Sequence, residues 1–119
     1  MPSRDFKRSD RISAMLRREV GSLVHAAVRD HALPSVSVSD VEATKDLDVA
    51  TVWVTALDST QSKTAVKALN ELAKEFRREL SHTLSIRRVP ELRFKYDVSV
   101  EQGERIENLL QQEKDQGRL

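Results

Sequence analysis

The chain has 119 residues, 39% of them hydrophobic and 33% charged, with no cysteine and a net charge of +1. That length holds one modest core, so a single domain over residues 1–119 is expected, with 1–7 and 112–119 as flexible ends. The absence of cysteine excludes disulfides, thiolate metal sites and a cysteine nucleophile; no apolar run reaches the length of a membrane span, so a cytoplasmic protein is expected.

Ile12, Met15, Leu16, Val20, Leu23, Val24, Ala27 and Val28 recur at the three-and-four spacing of an amphipathic helix. At about 100° per residue, Arg11 and Arg18 fall together on the opposite side, and Arg4, Lys7 and Arg8 join them if the helix starts early. HALPSV stops the pattern, because Pro34 biases Leu33 away from helix. SVSVSDVEA and VATVWVTAL are rich in β-branched residues and flank KDLD, which has turn composition, so a strand pair follows. Val36 and Val38 share one face while Val41 and Ala43 fall on the other, which predicts a bulge near Asp40. In the second strand Ala50, Val52, Val54 and Ala56 share a face and Trp53 points the other way.

DSTQSK supplies capping residues, after which Val66, Leu69, Leu72, Ala73, Phe76, Leu80 and Leu84 resume helical spacing, as one long helix or two. RRVPELRFKYD then reads as a strand with Leu92, Phe94, Tyr96 and Val98 inward and Arg93, Lys95 and Asp97 outward, Pro90 standing where no ladder donor is lost. SVEQ is a capping box, Ser99 with Gln102, opening a short helix with Ile106, Leu109 and Leu110 apolar. A hairpin, then helix, then a third strand implies an α+β domain: one three-stranded sheet with helices on one face and the other face open.

No catalytic constellation is present. There is no phosphate-cradling glycine loop, since glycine occurs only at 21, 103 and 117, and His25, His31 and His82 show no metal-ligand spacing. Asp46 and Asp48 fit a turn better than a carboxylate pair. Neither an enzyme nor a cofactor is expected.

Charge, by contrast, is segregated. Residues 1–18 and 74–95 each carry a net +4, whereas 40–59 carry −4 and 96–119 carry −3. A dipolar surface follows, and a basic face is the usual footprint of a phosphate-backbone partner. The candidate RNA-binding residues are Arg8, Arg11 and Arg18 on the first helix, Lys45 in the hairpin turn, Lys74, Arg77 and Arg78 on the later helix, Arg87 and Arg88 ahead of the last strand, and Arg93 and Lys95 on it. The planar guanidinium suits phosphate oxygens, although each is equally an ordinary surface arginine, and Arg77 or Arg78 has Glu75 and Glu79 within helical pairing distance. Trp53 stacks on a base or covers the rim of the open sheet face.

Three blocks, R-x-x-R-I from Arg8 to Ile12, SDVEATKDLDVATVWV at 39–54 and VPELRFKYDVSVEQGERI at 89–106, stand in the order and spacing of a known family. Over residues 8–110 the chain resembles ribosome-binding factor A, a bacterial assembly factor of the small ribosomal subunit. The resemblance implies a single KH-like domain, type II-like, of order α-β-β-α-α-β-α. Its helix pair is kinked at an Ala-x-Gly; here NELAKEFRR has Ala73 near the kink and Lys74 where glycine is expected. It implies binding to the immature 30S subunit and its 16S rRNA near the decoding region, aid to late maturation and 5′-end processing, and a role in the cold. A monomer in solution is expected, with no membrane and no DNA partner. The alternatives are a generic KH-like single-stranded RNA-binding module and a protein-interaction module.

Overall fold

An apolar stripe along one side of the first helix sets the architecture. The computed structural model describes residues 4–98, with side chains from Arg8 onward. Helix α1 runs Arg4–Asp30 and buries Ile12, Leu16, Val20, Val24 and Ala27, the positions its periodicity marks. Strands β1 (Val36–Ala43) and β2 (Val49–Ala56) pair antiparallel; helix α2 (Ser62–Thr83), entered through a short 3₁₀ turn at Ser59–Gln61, leads to β3 (Glu91–Tyr96), which pairs parallel to β2. The sheet order is β1-β2-β3. A parallel neighbour requires a crossover, and α2 supplies it.

Both helices pack on one face, α1 over β1 and α2 over β3, and the central strand lies under their seam. Its inward residues are therefore small or β-branched, and Ala50, Val52 and Val54 are all 0% exposed. Phe76 of α2 meets Phe94 of β3 edge to face, with ring centroids 5.8 Å apart. Each such fully buried large side chain contributes about 1.5–3 kcal/mol by removal from water. The phase change in β1 is present: the register slips between Val38 and Asp40, so Ser39 is extra and the strand keeps an apolar residue against the core on both sides.

Two expectations are altered, and a third falls outside the described residues. The helix pair is one continuous helix, Ser62–Thr83, running through Ala73 and Lys74. The stretch contains neither glycine nor proline, and alanine and lysine are both good helix formers, so nothing in the backbone favours a break. Two side chains one heptad apart tie this helix down on either side of Ala73: Asn70 to Phe94 and Arg77 to Val89. Second, β3 ends at Tyr96, so Val98 stands exposed instead of continuing the inward row. Third, the helix expected from Ser99, with Ile106, Leu109 and Leu110, lies outside the described residues, as does the 112–119 end.

Two non-glycine residues take left-handed backbone. Ala32, at φ 52°, turns the chain out of α1, with the His31 N–H donating to the Ala27 carbonyl and the Leu33 N–H to that of Val28. This is the helix end that glycine usually occupies; Pro34 follows it and does not cause it. Ala32→Gly is expected to raise stability by about 1 kcal/mol, read as a higher urea midpoint at unchanged slope.

Leu47, at φ 62°, closes the β1–β2 turn with its side chain only 8% exposed. Burial holds a conformation that the branched side chain disfavours. The usual ranking should therefore invert: Leu47→Ala loses the burial, about 2–5 kcal/mol, while Leu47→Gly loses the same contacts and regains about 1 kcal/mol of backbone preference. Urea unfolding of both variants checks this, with glycine expected to be the more stable.

Candidate nucleic-acid interface

Parallel strands begin at the same end of a sheet, so the segment 84–90 that leads into β3 arrives beside the turn that leads into β2. Asp48 joins them twice. Its carbonyl accepts the Glu91 N–H at 2.9 Å, and its carboxylate lies 2.9 Å from the Arg88 guanidinium. On the other side the segment is held by α2, where Arg77 Nε donates to the Val89 carbonyl at 3.0 Å. Val89 and Pro90 are buried, so the segment is anchored at its β3 end while Arg87 and Arg88 project outward.

Two grooves flank this segment. One, of about 530 Å³, is lined by Lys74, Arg77, Arg78, Ser81, Ile86, Arg87 and Val89. The other, of about 430 Å³, is lined by Arg8, Ile12, Asp46, Leu47, Ser85, Ile86, Arg87 and Arg88. Arg87 and Ile86 are shared, so six of the eleven candidates, Arg8, Lys74, Arg77, Arg78, Arg87 and Arg88, lie along one edge of the molecule, with Asp46 as the only acid among the described residues that line either groove. Arg8 belongs here because it stands beside the buried stripe of α1, not on the outer ridge.

The other five are elsewhere. Arg11 and Arg18 are exposed on the outer side of α1, Arg18 being 4.0 Å from Glu19. Lys45 lines a third groove, where α1 meets the outer edge of β1, and its lining is of mixed charge, with Asp10, Asp40 and Glu42 beside Arg17 and Lys45. Arg17 went unmarked in the sequence because it flanks the apolar stripe and shares no line with the other arginines. Arg93 and Lys95 stand on the open sheet face with Trp53, and there each has a neighbour within the chain: Arg93 lies 3.5 Å from Glu91, and the Lys95 ammonium sits 5.9 Å from the Trp53 ring centroid. Pairing register puts Asp40, Glu42, Glu91 and Asp97 on that same face, Asp97 accepting a 2.8 Å bond from Ser39. Four carboxylates against two cations make it the poorer surface for phosphate, and Lys95 already covers a face of the only tryptophan.

Within the described residues no group of three His, Asp or Glu side chains is placed to hold a metal ion, and no helix is long and apolar enough to cross a membrane. What the basic edge offers is a row of guanidinium donors at the mouth of two shallow grooves.

The family model of ribosome-binding factor A matches residues 8–110. The chain belongs to the ribosome-binding factor A family. Ribosome-binding factor A of Xanthomonas euvesicatoria pv. vesicatoria (strain 85-10) is 56% identical over 117 residues, covering 98% of this chain and 90% of that protein. The family's protein from Xylella fastidiosa (strain 9a5c) is 54% identical over 110 residues, 92% of this chain and 88% of that one. The crystal structure of ribosome-binding factor A from Thermus thermophilus matches with a TM-score of 0.65 at 26% identity, over 74% of this chain and 94% of that chain. A Thermus thermophilus ribosome-binding factor A homology model fitted into a cryo-EM map of a 30S complex matches with a TM-score of 0.61 at 27% identity, over 72% and 91%. The α+β arrangement of three strands and two helices among the described residues is that of the family and is consistent with a KH-like fold.

The hairpin turn that anchors Arg88 also titrates. Hydrogen bonds from the Thr44 hydroxyl and the Asp48 N–H hold the Asp46 carboxyl below the ordinary carboxylate value, and the Thr60 hydroxyl and N–H do the same for Asp58. A depressed folded-state pKa contributes stability that is full above the unfolded value of about 3.9 and is lost as pH falls through the folded one. Replacing both by asparagine should therefore flatten the fall in melting temperature below about pH 4; an unchanged slope would show that neither carboxylate contributes.

Proposed function

We propose that this chain is a ribosome-binding factor that docks on the immature 30S subunit through its 16S rRNA, using the edge formed by Arg8, Lys74, Arg78, Arg87 and Arg88. In this reading it acts in the cytoplasm, in late maturation and 5′-end processing of that RNA and in growth in the cold, and it works by binding, not catalysis. The single observation that carries the reading is the gathering of cations from three separate segments beside the anchored 84–90 linker, in a chain 56% identical to a ribosome-binding factor A. A structured RNA shows proteins its phosphates and shape more than its base edges, and arginine forks suit that display. Arg77 is given a supporting role here, since its Nε is spent on Val89.

Co-sedimentation with free small subunits across a salt series tests this. Log affinity falls with log salt by about 0.7–0.9 for each phosphate neutralised. Replacing Arg8, Arg78, Arg87 and Arg88 by glutamine should weaken binding and reduce that slope by about 3, while replacing Arg93 and Lys95 should change both little. If the second variant loses binding and the first does not, the open sheet face is the interface. Equal binding to unstructured single-stranded RNA would favour the generic KH-like module, and capture that survives nuclease and high salt would favour a protein partner.

A further inference from the structure

Pairing with β2 directs the backbone groups of Glu91, Arg93 and Lys95 toward that strand, and those of Leu92, Phe94 and Tyr96 toward the outer edge of the sheet, where no described strand pairs with β3. A free edge is a template for another strand. The middle residue of this edge is already taken. The Phe94 N–H donates to Asn70 Oδ1 at 2.9 Å, and Asn70 Nδ2 donates to the Phe94 carbonyl at 3.1 Å. A carboxamide presents one donor and one acceptor side by side, as a residue of an adjoining strand does, so Asn70 fills the place such a strand would take. Helix formation gives no reason for asparagine here, since it is a poorer helix former than alanine and residue 70 is exposed. The opposite edge is treated alike: the Ala43 N–H of β1 donates to the α1 hydroxyl of Ser13 at 3.0 Å.

We propose that Asn70 caps the β3 edge and keeps two copies of this chain from joining strand to strand. A second copy is the partner this edge fits. Antiparallel pairing about a two-fold axis centred on Leu92 sets Glu91 of each copy opposite Arg93 of the other, and gives each Phe94 N–H the Pro90 carbonyl as acceptor. Pairing centred on Phe94 sets Arg93 against Lys95 and is repelled. Glu91 and Arg93 already lie 3.5 Å apart within one copy, so the same two charges have only to exchange partners.

Light scattering over a concentration series, with hydrogen exchange at Phe94, tests the cap. The parent is expected to have monomer mass throughout. Asn70→Ala, which improves helix propensity, should exchange the Phe94 amide about tenfold faster and gain mass with concentration toward a dimer. Adding Glu91→Arg should return it to monomer, because both cross-strand pairs become repulsive. Asn70→Ser is measured in the same way if Asn70→Ala fails to fold. A dimeric parent, a freed Phe94 amide without association, or a dimer indifferent to Glu91→Arg each overturns the proposal.

Discussion

The parallel pairing of β3 with β2 is the constraint on which the rest depends. Because both strands start at the same end of the sheet, the chain must return along the full length of α2, and the linker before Glu91 must meet the turn before Val49. That meeting places the Asp48 carbonyl on the Glu91 N–H and its carboxylate on Arg88. It also puts Leu47, in its left-handed conformation, under the linker and beside Ile12 and Ile86. Had β3 paired antiparallel, Arg87 and Arg88 would emerge at the far end of the sheet, away from Arg8.

Position, not number, decides which cations are available. Arg77, Arg88 and Arg93 each have an acceptor or partner within the chain, and Lys95 has Trp53. Exposed pairs such as Arg88 with Asp48 contribute little to stability and are readily exchanged for a phosphate, whereas the Arg77 bond to a buried segment's carbonyl is structural. The acidic turn thus does two things at once: it anchors the linker through its backbone and moderates the field of the basic edge through Asp46 and Asp48. Among the described residues the acidic turn and the basic edge are therefore neighbours and do not stand on opposite faces.

The two ties from α2 divide labour along one line of the helix. Asn70 reaches the free edge of β3 and Arg77 reaches the linker, so the helix is fixed to both structures that follow it. With alanine and lysine at 73 and 74, and no residue in the helix that favours a kink, α2 is a stiff bar between the sheet and the basic grooves.

Periodicity alone determined the elements, the buried stripe of α1, the inward row of β2 and the bulge beside Asp40, because burial on one face imposes a period of 3.6 or 2 that local residues must obey. The alternation of Leu92 and Phe94 against Arg93 and Lys95 was legible for the same reason. The tertiary structure decided what periodicity does not encode. Ala32 and Leu47 take left-handed backbone without glycine to announce it, and Val98 drops out of the core because β3 ends at Tyr96, opposite Val54 and two residues short of the end of its partner strand. The eleven candidate cations divide among an edge, a helix flank, a turn and a sheet face because contacts between residues 8, 46–48 and 85–91 depend on strand direction. Direction is a property of the pairing, and no local pattern in any one of those segments carries it.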